Sequence, residues 1–474
     1  MIRADKLFHS GSVTCKRLSC KFKKDELDRQ KATAYGTFND TLLVSGWGVL
    51  DIYAGDVPQR GQTNKDIMFG AGFLEGVFTA QHIEDHYANM VGALALGERL
   101  MGKLRKWFED QQGFTNFMIQ IHPTDPYWRQ VSYVKAQLDG LIAGYKSVRK
   151  HSKKALDLFA FYFLNSKGDI LDLRHVLSPV HSFPNWLNLT KEEAELKFHM
   201  SGHCSALIKV LPGVKNIYMS HSTWFLYSAT NRIYKHYYLN VNDDSAAAKK
   251  ISFSSYAGLL VSIDDFYLMD SGLVMLQTTN LVFKRELYYT VIAHTLLSWQ
   301  RVRVANMMAH SGYEWCKIVG MHNSGTYNNQ YMIIDLSKID INEGIREGAL
   351  WVTEQIPGLV LANDETQLLR EGYFPSYNIP FFEEIYVKSG FPDMEKKHGS
   401  SYSYTNCSRA KIFRRDQAKV TDMASMKALM LSNDYKHDSI SQGNPWFAIC
   451  ARGDLDPKKP RDDGCYDTKV NMFE

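Results

Sequence analysis

The chain has 474 residues, 45% hydrophobic and 22% charged, a balance that excludes a disordered or collagen-like polymer. Its net charge of +4 and pI near 8.4 are weak for this length, and beyond the short KRLSCKFKK (16–24) no Lys/Arg stripe offers a nucleic-acid footprint. The longest wholly apolar runs, such as LFAFYFL (158–164), are too short to cross a bilayer.

Residues 1–32 carry no strong periodicity and are expected to be a solvated, poorly constrained start. They lack the apolar core of a signal peptide, which fits either a cytosolic chain or a sequence that begins downstream of a signal. TAYGTFNDTLLVSGWGVLDIY (33–53) reads as strands broken by Gly and Asn-Asp turns. In 66–112 the apolar residues recur at helical spacing, and Lys and Arg gather near the end, as suits a helix C-terminus. YWRQVSYVKAQLDGLIAGYKSV (127–148) predicts another amphipathic helix. DLFAFYFLNSKGDILDLRHV (157–176) predicts strand, turn, strand. NLTKEEAELKFHM (188–200) predicts a short helix, with Thr190 and Glu193 as a capping box.

The pattern changes after Gly202. SALIKVL (205–211) and NIYMSHSTWFLY (216–227) alternate and flank PGVK, a hairpin signal. Short strands follow over 249–280, then a helix over 286–312 and a strand at YMIIDLSKI (331–339). Helices, strands and long polar loops mix from 350 on. The sum is an α+β chain, a large mixed sheet with helices against its faces.

The seven cysteines are an odd number, so at least one thiol stays unpaired within the chain. Cys15 can pair with Cys20, and Cys450 with Cys465. No C-x-x-C pair points to a zinc ribbon. Asn39, Asn188 and Asn406 head glycosylation sequons.

Cys204 admits several readings. It can be a small core residue. It can be a metal ligand beside His199 and His203, although further spaced ligands are missing. It has no obvious disulfide mate. As a nucleophile it needs a base, and the hairpin would bring His221 to it. A free α-amine, made by a cut before Cys204, is a second base, with a pKa of about 7.7–8.0. MHNSGTYNNQY (321–331) is a turn-rich loop or a source of oxyanion donors. LQTTN (276–280) ends a strand, and AKIFRRDQ (410–417) sets two Arg beside an Asp.

Several long segments carry a resemblance: FNDT and GWGVLDI, AGFLEGVFTAQHIEDHY, HCSALIKVL, MSHSTWF, HNSGTYNNQYMIID, PSYNIPFFEEIY, AKIFRRDQ, NDYKHDSISQGNPWFAICARGDL and GCYDTKV. On these the chain, from about Ala34 to Val470, resembles the phospholipase B-like, or lamina-ancestor, family of N-terminal-nucleophile (Ntn) hydrolases. The resemblance implies an αββα sandwich with the nucleophile at a strand start. It implies self-cleavage between His203 and Cys204, giving a helix-rich fragment 33–203 that packs on the core fragment 204–474. It implies a site of Cys204, His221, Trp224, Thr279, Asn323 and Arg415 (or Arg414), with no metal or other cofactor. The expected activity removes fatty-acyl chains from glycerophospholipids. The alternatives are an amidase on acylated amines or peptides, or an inactive lipid-binding relative. The expected partners are an acylated small substrate and the chain's own cleaved N-terminal fragment, with no nucleic acid and no transmembrane segment. A lysosomal or secreted location is implied. One departure is local: where relatives carry a Cys-x-x-Cys pair, this chain has GNPW, with Gly443 and Trp446.

Overall fold

A computed structural model describes residues 7–152, 155–179, 183–201 and 204–473. The strands in chain order are β1 (Phe8–Lys16), β2 (Ser19–Lys24), β3 (Ala34–Asn39), β4 (Gly48–Ala54), β5 (Ser205–Val210), β6 (Ile217–Leu226), β7 (Arg232–Leu239), β8 (Lys250–Tyr256), β9 (Phe266–Met269), β10 (Leu273–Thr279) and β11 (Asn329–Asp335). The two-residue pair β12 (Ile339–Asp340) and β13 (Gly344–Ile345) follows, then β14 (Leu350–Ile356), β15 (Leu359–Asp364), β16 (Tyr373–Ser376) and β17 (Asp463–Met472). An 11-stranded sheet has the order β15-β14-β11-β10-β9-β8-β7-β4-β3-β1-β2, and a 4-stranded sheet the order β16-β5-β6-β17.

Three apolar clusters organise these sheets. Ala206, Ile208 and Met219 of the small sheet pack with Val274, Leu276, Met332 and Val352 of the large one, so the two sheets share an inner layer. Tyr237 and Phe253 of the large sheet join Met68, Leu74 and Leu141 from helices outside it. Leu207 and Tyr218 of the small sheet join Phe198, Phe413 and Met426 from helices on its other side. Alternation along β5 splits Ala206 and Ile208 from Leu207, as the period of 2 requires.

Helices Asn64–Phe78 and Pro126–Arg149 are joined by close backbone contact. Gly72 and Gly76 of the first face the Gln137 and Leu141 carbonyls, while Gly140 and Gly144 of the second face those of Phe69 and Phe73. Each helix thus offers small residues four apart, which lets the backbones approach closely. Thr63 and Asp66 form a reciprocal capping box on the first helix, and Asp125 caps the second ahead of Pro126.

Three expectations need correction. Residues 157–176 form two helices, Leu158–Asn165 and Lys167–Leu177. Phe159–Asn165 is buried all round, and such an apolar run has no period to separate helix from strand. The decisive local signal is Asp157, whose carboxylate accepts from the Ala160 N–H at 3.1 Å. Secondly, part of the expected loose start is sheet: β1 and β2 form the edge hairpin of the large sheet, closed by a Cys15–Cys20 disulfide. Thirdly, the helix expected over 286–312 is a 3-10 turn at Arg285–Thr290 and an α-helix only from Ser298 to Met308. The Thr190–Glu193 capping box is present, ahead of helix Lys191–Ser201.

The helix Lys167–Leu177 is tied inward by Asp169, which accepts from Thr326 Oγ1 at 2.6 Å and from the Ser298 N–H at 3.1 Å. Burial pushes its carboxyl up to about 6 despite those bonds. A folded-state pKa above the unfolded one stabilises fully below the unfolded value, about 3.9, and that contribution is lost as pH rises through about 6. The stability advantage of wild type over Asp169→Asn is therefore expected to shrink by about 2 kcal/mol between pH 4 and pH 7. Urea unfolding of both proteins across that range reads the difference.

Candidate active site

Cys204 stands immediately before β5, and the expected hairpin is formed. β5 pairs antiparallel with β6, with Ser205 opposite Ser222 and Ala206 opposite His221. Gly213, with φ 71°, makes the turn that a side chain would strain. The same register carries Trp224 to the cysteine, where its backbone N–H lies near the thiol. Cys204 is 1% exposed and has a φ of 89°, a region that costs a non-glycine residue about 1–3 kcal/mol and clusters at functional sites.

A carboxyl group completes the centre. Asp265 sits in the turn between β8 and β9, itself at φ 59°. The ligand-forming atoms of Cys204, His221 and Asp265 all lie within 4.8 Å of one another. Tyr327 donates its hydroxyl to both Asp265 oxygens at 3.0 Å, and the Gln277 amide donates a further short bond. His221 Nδ1 is 3.3 Å from Thr223 Oγ1, a hydroxyl that also receives Lys469 Nζ. His221 Nε2 makes no hydrogen bond of standard geometry, although the Gln277 carbonyl lies near the ring.

Burial governs the charges. It pushes the Cys204 thiol well up, and the neighbouring Asp265 adds to that. It raises the Asp265 carboxyl and lowers the His221 imidazole, each strongly. For all three groups burial favours the uncharged form. Lys167 closes one wall, 3.9 Å above the Tyr256 ring, and burial brings its amine down to about 7. Lys469 goes the other way: burial opposes its charge, but Asp467 and Asp264 outweigh it and raise its pKa.

The cysteine opens onto a small pocket lined by Leu171, Phe225, Tyr256, Ile263, Tyr327 and Tyr466, among others. A larger cleft shares Gly168, Leu171, Phe225 and Tyr327 with it. Gly168 is required there, since a Cβ would stand 2.6 Å from the Tyr327 ring. The lining of the inner pocket is mostly apolar.

The structure brings Cys204, His221 and Trp224 together and sets Thr279 in the wall of the outer cleft. It does not bring in Asn323, which donates to the Ile356 carbonyl at 3.3 Å and accepts from the Gly325 N–H at 2.9 Å. Arg415 is on the surface, 43% exposed and paired with Asp416 and Asp438; Arg414 donates to the Thr405 carbonyl. The arginine at the site is Arg409, from the N-terminal turn of the same helix, Ser408–Asp416. Its guanidinium donates to the Cys204 carbonyl at 2.6 Å and lies 4.5 Å from the centre of the Trp224 ring. Burial lowers its pKa to about 10. His199 is not among the Cys204 ligand neighbours; it stacks on Trp446. His203, the other side of the expected cleavage point, lies outside the described residues.

Behind the site, Trp224 and Trp446 pack with the Cys450–Cys465 disulfide. Trp446 thus fills space where relatives were expected to carry a cysteine. Asn39, Asn188 and Asn406 are all exposed.

Arg409→Met is expected to unseat the Cys204 carbonyl and slow any reaction at the thiol by about 10²-fold, since a charge-assisted bond is worth about 1.5–3 kcal/mol. Arg409→Lys should recover part of that. Rates of thiol alkylation and of substrate turnover in the three proteins check it.

A buried thiol, imidazole and carboxyl group meet beside an apolar pocket. The comparisons point to a hydrolase. Residues 34–474 match the family described as Phospholipase B. The chain is 49% identical over 453 residues to "Phospholipase B-like 1" of Homo sapiens, covering 94% of this chain and 79% of that protein. It is 47% identical over 448 residues to "Phospholipase B" of Crotalus adamanteus, covering 94% and 80%. It is 35% identical over 450 residues to "Phospholipase B-like protein D" of Dictyostelium discoideum, covering 93% and 78%. The chain belongs to the phospholipase B family. No described helix is long and apolar enough to cross a membrane.

Proposed function

We propose that the protein is an Ntn hydrolase that cuts itself before Cys204 and then removes fatty-acyl chains from glycerophospholipids. The observation that carries this reading is the left-handed φ of a buried cysteine at the head of a strand, beside a histidine and a carboxyl group, on the floor of an apolar pocket. The sheet-on-sheet layer flanked by helices on both sides supports the αββα sandwich of such enzymes.

In the first step the Cys204 thiol gives its proton to His221. Its sulfur bonds to the carbonyl carbon of residue 203, the C–N bond breaks, and the Cys204 nitrogen takes a proton. Water then hydrolyses the thioester, leaving a carboxylate on residue 203 and a thiol and α-amine on Cys204. In turnover that amine serves as the base. The thiol attacks the ester carbonyl, the glycerol oxygen leaves with a proton, and water releases the fatty acid. Arg409 holds the Cys204 backbone through both phases. No step calls for a metal. Exposed sequons and two disulfides support a lysosomal or secreted setting.

The test is N-terminal sequencing of the purified protein, followed by assay of fatty-acid release from phosphatidylcholine and from an N-acyl amine of the same chain. The expected result is a fragment beginning at Cys204 and faster release from the ester. A single uncut chain that releases nothing from either lipid overturns the proposal, and faster release from the amide makes the protein an amidase.

A further inference from the structure

The cluster of Cys204, His221 and Asp265 has a second chemistry. We propose that the uncut chain binds one Zn²⁺ on Cys204 Sγ, a ring nitrogen of His221 and a carboxylate oxygen of Asp265, and that the ion blocks self-cleavage. The inhibitory half of this proposal rests on the reading of Cys204 as the self-cleaving nucleophile; the binding half does not.

Four observations carry it. The three ligand atoms already converge within 4.8 Å, and a tetrahedral zinc site needs about 3.3–3.8 Å between ligands, so a contraction of about 1 Å suffices. All three residues are buried, which spares the site the competition of bulk water. His221 Nε2 is a buried nitrogen with no hydrogen bond. Its Nδ1 lies 3.3 Å from Thr223 Oγ1, which in turn receives Lys469, so the ring is oriented from behind. Asp265 has the same kind of support from Tyr327 and Gln277.

The donor set decides the metal. Sulfur, imidazole nitrogen and one carboxylate suit zinc, whereas magnesium and calcium want oxygen ligands. Charge also balances: a thiolate and a carboxylate would set two negative ligands around a dication in a buried site. Three protein ligands leave a fourth position for water from the pocket beside Cys204. A thiolate bound to zinc cannot attack the preceding carbonyl, so the ion would keep the chain intact until it is withdrawn.

The experiment uses full-length protein and Co²⁺ as a spectroscopic stand-in for Zn²⁺. The wild-type chain, prepared in chelator and titrated at once with Co²⁺, is expected to bind one ion with a sulfur-to-cobalt charge-transfer band that Zn²⁺ abolishes. Cys204→Ser and His221→Ala should lose the band. Asp265→Asn should weaken Co²⁺ binding about tenfold or more. Cys407→Ala and Cys316→Ala, at the other free thiols, should keep it. In parallel, Zn²⁺ should slow the appearance of the two fragments at least about tenfold, and chelator should restore it. Circular dichroism confirms that each variant folds, and Cys204→Ala replaces the serine variant if that one does not. An identical band in wild type and in the Cys204 variant overturns the site. Binding without any effect on cleavage overturns the inhibition. If the chain never cuts itself, the cobalt band still reports the site on its own.

Discussion

Cys204→Ala is expected to leave the protein as one chain on a denaturing gel and to lower fatty-acid release by about 10³-fold or more, as loss of a nucleophile does. Cys204→Ser should retain slow cutting, because a hydroxyl is a poorer nucleophile without strong activation. The loss should not be a folding defect. The sulfur is small, and the cavity it leaves costs about 1 kcal/mol. A further variant isolates the backbone. Cys204 is held at φ 89°, which glycine accepts and alanine does not. Cys204→Gly should therefore be more stable than Cys204→Ala by about 1 kcal/mol. Urea midpoints of the two give that difference. Equal stabilities would mean that the left-handed backbone stores no strain.

Gly140→Ala is expected to cost several kcal/mol, about 3 or more, or to abolish soluble expression. A Cβ there would lie 2.0 Å from the Phe69 carbonyl oxygen and 2.9 Å from the Phe69 Cα. Both are backbone atoms, so no side-chain rotation makes room, and the whole helix Pro126–Arg149 must move off its partner. Gly144, Gly72 and Gly76 meet carbonyl oxygens at 1.9 to 2.1 Å and should behave alike. The control is Gly102→Ala, in the helix Glu98–Ile121, where nothing lies within 4 Å. That change should stabilise by about 0.5–1 kcal/mol through helix propensity alone. Thermal melts of the pair should therefore move in opposite directions.

The parts of the fold that read well from sequence are those with local signals. The hairpin around Pro212 and Gly213 has strict alternation and a turn, so the meeting of Cys204 with His221 and Trp224 could be anticipated. The Thr190 capping box is equally local. Residues 157–176 misread because a run buried on every side has lost its period. Asp265 was overlooked because its carboxyl group becomes part of the site only when the β8–β9 turn reaches the head of β5, a contact between segments 61 residues apart. Two consecutive acids in SIDDFY, between apolar strands, were the available clue. The arginine was sought in RRDQ because those side chains are conspicuous, yet conspicuous charge favours the surface, and Arg415 lies there with two carboxylates. Arg409 gives no comparable signal. Asn323 has the right chemistry, but its amide is committed to its own loop.

The chain before Cys204 supplies β1 to β4 of the large sheet, and β4 runs parallel to β7 from the other side of the proposed cut, with Leu50 beside Lys235 and Ile52 beside Tyr237. A parallel pairing cannot be closed by a tight turn; it depends on a long connection. Before the cut, that connection is covalent and keeps the strands at high effective concentration during folding. After it, the sheet is finished but the link that assembled it is gone. A processed molecule that unfolds would have to reassemble from two separate chains. Maturation would then be a one-way event, and the lifetime of the working protein would be set by how slowly it opens rather than by its equilibrium stability.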